Sequence, residues 1–161
     1  MPGAKTGAKQ LIAMLDDRDY LSILPFNFRP SWEGKDLLIQ KERESAARTI
    51  DFFFPTGGTA LYDSIDQAYR YLLDHPKSDK ISAIVVLTDG ADTDSKTSLQ
   101  ELLGKMHFDN ERNAIRVFTI GYGSDAVKDV LKSIADATQA KFYEGTTENI
   151  QSVFREISTF F

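Results

Sequence analysis

Two short segments carry residue types that can do chemistry. The first is Ile84-Val85-Val86-Leu87-Thr88-Asp89-Gly90, an apolar, β-rich run that stops on an acid and a glycine. Parallel strands buried on both faces read as continuous Val/Ile/Leu runs. Open α/β sheets hold their ligands just past the carboxyl ends of such strands, so Asp89 stands where a functional carboxylate belongs. The second segment is Pro55-Thr56-Gly57-Gly58-Thr59-Ala60-Leu61-Tyr62-Asp63, a loop that opens a helix. It would bring the Thr59 hydroxyl to the same rim, which Gly57, Gly58, Gly90 and Asp92 complete. That hydroxyl also suits a helix N-cap, and the two roles can coexist. Gly57 and Gly58 suit a turn that needs positive φ.

Elements of matching type are predicted around these segments. Pro2 suits a first helical position, and the helix it opens runs to Leu15 with Ala8, Leu11, Ile12 and Leu15 on one face. Tyr20 to Asn27 reads as a strand, with Pro25 demoting its end to an edge or bulge. Asp36 to Gln40 is a short edge strand. Lys41 to Phe53 is a helix with Ala46, Ala47 and Ile50 inward, stopped by Pro55, and Phe52-Phe53-Phe54 reads as core. Thr59 opens a helix to Asp74 whose apolar stripe is Tyr62, Ile65, Tyr69 and Leu72. Ile81 to Thr88 is a central strand, Ser98 to Met106 a helix and Ile115 to Gly121 a strand. Ala126 to Thr138 is a helix with Val127, Val130, Leu131, Ile134 and Ala135 inward. Lys141 to Tyr143 is a short strand, and Glu148 to Phe160 a final helix. Such alternation implies a three-layer, doubly wound, mostly parallel sheet flanked by helices. The first helix lacks an upstream strand to pair with it.

Composition narrows the classes further. A chain of 161 residues fits a single domain spanning 1–161, and its 42% hydrophobic content is ordinary for a globular protein. A net charge of −5 argues against sequence-independent binding to nucleic acid or to anionic membrane. No apolar run approaches the ~20 residues of a membrane span, and the start of the chain has no apolar signal region. With no cysteine, disulfides, thiolate chemistry and Cys-zinc sites are excluded. The two histidines, His75 and His107, fall near predicted helix ends and are too scattered for a metal cluster. Trp32 sits in a loop, either as an exposed contact or tucked over the core. Asp92 and Asp94 lack the order of a calcium loop and read as solvated loop acids or helix caps.

In order and spacing, these segments resemble a von Willebrand factor type A domain. Gly57-Gly58-Thr59-Ala60-Leu61-Tyr62-Asp63 resembles the family's second metal loop, and Val85-Val86-Leu87-Thr88-Asp89-Gly90 its third. Val117-Phe118-Thr119-Ile120-Gly121-Tyr122-Gly123 resembles the strand that follows in many bacterial members. Leu131 to Tyr143 resembles their late helix and last strand. The resemblance implies a metal-ion-dependent adhesion site, with a divalent cation, usually Mg²⁺, on top of the sheet. It makes Thr59 and Asp89 metal ligands, and it makes the partner a protein that offers an acidic residue. The family's Asp-x-Ser-x-Ser loop, which closes its first strand, is not present in this sequence. The expected sheet therefore lacks a central strand, between Tyr20–Asn27 and Ile81–Thr88. Two ligands give Mg²⁺ little charge and little geometry. Mg²⁺, Mn²⁺ or Ca²⁺ is thus expected in an intact parent, and weakly or not at all in this chain alone. An unpaired central slot would favour closure of the sheet or a homo-oligomer. By resemblance, the cell surface or periplasm is favoured over the cytoplasm.

Other functions fit less well. A phospho-acceptor role for Asp89 needs a companion acidic pair and a lysine that the corresponding strand end, Gly121-Tyr122-Gly123, does not offer. A phosphate cradle at Gly57-Gly58-Thr59 has no Walker lysine, and no Ser/His/Asp constellation is legible. The expectation is a non-enzymatic interaction module, with a structural remnant that has lost its metal function as the alternative.

Overall fold

Strand β4 (Arg116–Tyr122) is the most buried of the described strands, covered at every residue except its two ends. It pairs in parallel with β3 (Ala83–Thr88) from Ala83↔Arg116 to Thr88↔Gly121, and its other neighbour is β5 (Phe142–Gly145). The computed structural model describes residues 2–53, 57–106, 115–123 and 126–160. Pro55, Phe54 and His107, which figure in the sequence reading, lie outside the described residues.

The remaining elements are α1 (Pro2–Met14), β1 (Tyr20–Ile23), β2 (Gly34–Leu38), α2 (Ile39–Phe52), α3 (Leu61–Asp74), α4 (Leu99–Lys105), α5 (Lys128–Ala137) and α6 (Ile150–Ser158). The architecture is mixed α/β, as the alternation predicts. The strands form two sheets, ordered β1-β2 and β3-β4-β5.

The chain divides into two clusters. One comprises Met1–Pro25, Ser31–Thr56 and Gly145–Phe161. In it β1 and β2 are antiparallel with a bulge between Leu21 and Ile23. Ile12, Ile39 and Ala46 form a small core with Leu15, Leu21, Ile23, Leu37 and Ile50 against it. The strand predicted to reach Asn27 ends at Ile23, two residues before Pro25, whose ring lacks the donor a ladder requires. Phe52, which the sequence pattern places in the core, is instead 76% exposed at the end of α2. Its position falls opposite the inward Ala46 face, a distinction that a run of three aromatics conceals.

The second cluster comprises Phe26–Pro30 and Gly57–Glu144. Its core joins Leu61, Ile65 and Tyr69 of α3 and Leu102 of α4 to Leu131 and Ile134 of α5, around Val86 and Val117 of the sheet. Two buried threonines are satisfied locally. The Thr119 hydroxyl donates to the Leu131 carbonyl at 2.8 Å, and Thr138 Oγ1 accepts from the Val117 N–H at 2.8 Å. Two residues depart from the sequence pattern. Val127 is 38% exposed because it precedes α5 as its N-cap rather than lying on its inner face. Ile81 is 71% exposed and lies outside β3.

Candidate functional site

The site is built where the Gly57–Asp63 loop meets the Asp89–Thr97 loop. Gly57 has φ +80°, a left-handed turn that glycine adopts at no steric cost. At Gly58 a Cβ would lie 1.7 Å from Asp94 Oδ2, so any side chain there must displace the Asp94 carboxylate from the Thr59 N–H. The two loops are stitched by backbone and side chain alike. Thr93 N–H and Asp94 N–H donate to the Thr59 carbonyl at 2.8 and 3.1 Å. In return Thr59 N–H donates to Thr93 Oγ1 and Asp94 Oδ2, both at 2.8 Å.

The same acidic loop caps α3. The N-cap is Ala60, not Thr59 as the sequence suggests, and an alanine side chain cannot accept a hydrogen bond. Asp92 does so from across the gap: its Oδ1 accepts the Tyr62 N–H at 3.1 Å and the Ser95 hydroxyl. Ser95 Oγ in turn accepts the Asp63 N–H at 2.9 Å. Carboxylates at a helix N-terminus also complement its dipole. Asp63 reaches the other way, accepting the N–H groups of Lys96 and Thr97 at 2.9 Å each. Burial pushes the Asp63 carboxyl up, but those hydrogen bonds, the Thr97 hydroxyl and the Lys96 charge together hold it below its usual range. Burial, then the neighbouring Asp92 charge, push the Tyr62 phenol up.

Asp89 is different. It is exposed just past the end of β3, and its carboxylate takes part in no hydrogen bond or ion pair among the described residues. Gly90 follows it, and a Cβ there would sit 3.8 Å from Thr59 Oγ1, so the Thr59 hydroxyl faces the Asp89-Gly90 turn. That hydroxyl likewise makes no hydrogen bond among the described residues. Of the residues named from sequence, Thr59, Gly57, Gly58, Gly90 and Asp92 meet in one loop cluster that Asp89 adjoins. Thr93, Asp94, Ser95 and Asp63, which hold the cluster together, were not foreseen in that role. For the first three the signal is the unbroken run of oxygen-bearing side chains from Asp92 to Ser95.

The donor chemistry fits a hard cation, which takes carboxylate and hydroxyl oxygens. Thr59 and Asp89 are the two unspent oxygen groups here, whereas Asp92 and Asp94 already accept backbone N–H groups. Among the described residues no group of three His, Cys, Asp or Glu side chains is placed to hold a metal.

A family model for the von Willebrand factor type A domain matches residues 2–156. The chain belongs to that family. Domains of this type generally act as non-enzymatic modules of protein interaction, and some hold a metal in an adhesion site. The fold is similar to a von Willebrand factor type A protein from Catenulispora acidiphila (TM-score 0.73, 22% identity, covering 98% of this chain and 37% of that one). It is also similar to proximal thread matrix protein 1 of the mussel byssus with a zinc-occupied adhesion motif (TM-score 0.76, 17% identity, covering 99% and 40%). A third similar structure is an aerotolerance-related membrane protein from Bacteroides fragilis (TM-score 0.76, 17% identity, covering 98% and 86%). The chain thus spans well under half the length of the first two. None of the curated proteins compared matches it. No helix among the described residues is long and apolar enough to cross a membrane.

Proposed function

We propose that this von Willebrand factor type A domain is a protein-interaction module that takes its partner at the rim formed by Thr59 and Asp89. The observation that carries the reading is the pair of unspent oxygens: every other carboxylate described in the cluster is committed to backbone or hydroxyl groups, and these two are not. Thr59 and Asp89 would hold a divalent cation, Mg²⁺ by preference and Mn²⁺ or Ca²⁺ as alternatives. The cation would supply a positive centre for an acidic residue of the partner. The chain's own residues do the positioning. Gly57 and Gly58 bring the Thr59 backbone against the acidic loop, and Asp92 and Asp94 fix that loop on the start of α3.

One hydroxyl and one carboxylate fill only part of an octahedral oxygen shell. Cation binding by this chain alone is accordingly weak, and tight binding belongs to a parent that adds ligands. Cell-surface or periplasmic placement goes with this reading, supported by family likeness alone. One observation favours the alternative of a structural remnant: Asp92 and Asp94 satisfy the loop without any metal.

Mn²⁺ titration of the ¹⁵N-labelled chain separates the two. Paramagnetic broadening centred on Thr59, Asp89 and Gly90, and lost in Asp89→Ala, is expected. Broadening that is absent, or that persists in Asp89→Ala, would leave the remnant. Tight one-site Mg²⁺ binding by calorimetry would overturn the view that the site is partial.

A further inference from the structure

The turn Phe26–Pro30 belongs to the same cluster as the candidate site and is fastened to it. Its ends form an antiparallel bridge, Phe26↔Pro30. Asn27 Oδ1 accepts the Arg29 N–H at 3.4 Å, and the Asn27 carbonyl accepts the Ala60 N–H at 2.6 Å. Ala60 directly follows Thr59, so the turn is fixed in place beside the rim. Phe26 is half-buried against the core and anchors it.

The next two residues point the other way. Phe28 is 54% exposed, although burying its ring would stabilise the fold. The Arg29 guanidinium lies 5.4 Å from the Phe28 ring centroid, a cation–π distance. It forms no ion pair among the described residues, in a chain with 24 acids against 19 lysines and arginines. The ring stands 3.9 Å from where a Gly57 Cβ would be. Between Phe28 and Thr59 the described residues are Gly57 and Gly58, and the Asp94 carboxylate lies over Gly58, where it accepts from the Thr59 N–H and the Thr93 hydroxyl. The glycine turn thus has an aromatic ring and a cation on its Phe28 side and, on its other side, Thr59 facing the Asp89-Gly90 turn, with the committed Asp94 carboxylate between them.

We infer that Phe28 and Arg29 form a second contact point for the partner, taking a second carboxylate a few residues from the one directed at Thr59 and Asp89. The occupant is an extended protein segment with two acidic side chains. Arg29 pairs with the outer acid, and Phe28 holds the guanidinium in place while covering the aliphatic part of the segment. A planar guanidinium suits a carboxylate in two-pronged geometry. The inference rests on the proposed function for the inner acid but assigns Arg29 independently of any cation.

The test titrates the ¹⁵N-labelled chain with short Gly/Ser peptides carrying one aspartate, or two at successive separations, each in Mg²⁺ and in chelator. At one separation the two-acid peptide is expected to shift the Arg29 Nε–H resonance and to bind more tightly than the one-acid peptide. Arg29→Gln should weaken it by about fivefold, the scale of an exposed charge pair, and leave one-acid binding unchanged. Arg29→Lys should restore part of the loss. Equal loss for both peptides in Arg29→Gln, no loss for either, or no binding of any two-acid peptide overturns the inference. Binding that is the same in Mg²⁺ and chelator counts against the cation reading alone, and the Arg29→Gln comparison still decides this one.

Discussion

The Asp63 carboxylate accepts two backbone N–H groups from a loop more than thirty residues further on, and this ties its ionisation to the fold. Its folded pKa is held below the unfolded value of about 3.9. The stabilisation it brings is therefore complete above that value and drains away as pH falls through it towards the lower folded pKa. Denaturation midpoints of the parent and Asp63→Asn should differ most at neutral pH, and the difference should close in acid. A gap that stays constant with pH would mean that the charge plays no part. Gly58 makes a sharper case, because a Cβ there would overlap Asp94 Oδ2. Gly58→Ala should cost about 1–3 kcal/mol, while Gly104→Ala, with nothing within 4 Å of the added carbon inside α4, should be neutral or stabilise by up to about 1 kcal/mol. Chemical denaturation of both variants checks the contrast. At this scale Thr59 and Asp89 stand out in the sequence because each lies at the junction of a strongly patterned element with a glycine, while the N-cap expected at Thr59 falls on Ala60. The sequence left Asp92 and Asp94 as either solvated loop acids or helix caps, and Asp92 is a cap, of α3. An acid that caps a distant helix and an acid in solvent have the same local spacing, and only the fold brings Tyr62 N–H to one of them.

Arg43 organises the elements of the other cluster. From α2 it donates to the carbonyls of Ile12, Ala13 and Leu15 at the C-terminal end of α1, at 2.6, 3.1 and 2.8 Å. It also pairs with Asp17 at 3.0 Å. The last carbonyls of a helix have no partners within it, and a fixed cation there also meets the negative end of the dipole. Arg43→Ala should therefore destabilise the chain by about 1.5–3 kcal/mol, read as a shift in thermal midpoint, with Arg43→Lys recovering only part because one ammonium cannot fan out over three carbonyls. A midpoint unchanged in Arg43→Ala would remove this role. None of this is readable from the charged run around Lys41–Arg48, which has the pattern of a solvated helix face. The element types themselves were legible because the apolar period of each helix and the unbroken run of β3 are strong local signals. Their ends were less so: β1 stops short of Pro25, and α3 starts after Ala60 because its cap comes from another loop. Phe52 misled the reading because apolarity signals burial only on the correct face of a helix.

On the scale of the whole molecule, the decisive feature is a mismatch between the sequence of β3 and its place. Ala83–Thr88 has the unbroken apolar character of a strand with neighbours on both sides, yet it ends its sheet in the order β3-β4-β5. Edge strands are ordinarily guarded by charge, proline or a bulge. β3 carries no charged residue or proline and keeps an unshifted register with β4, while the exposed Ile81 leads into it. A net charge of −5 gives only mild repulsion between copies at physiological salt. Self-association through this edge is the expected consequence, seen in light scattering as a mass that rises with concentration. Ile81→Lys places a charge at the mouth of the strand without touching the core, and it should lower the apparent mass at a given concentration while leaving the thermal midpoint of the dilute chain unchanged. A clean monomer at every concentration, or a mass indifferent to Ile81→Lys, would show that the β3 edge is not where copies meet. The outward amides of β3 should also exchange with solvent faster than those of β4, which is buried along almost its whole length. Equal protection in the two strands would mean that the β3 edge is already covered in solution.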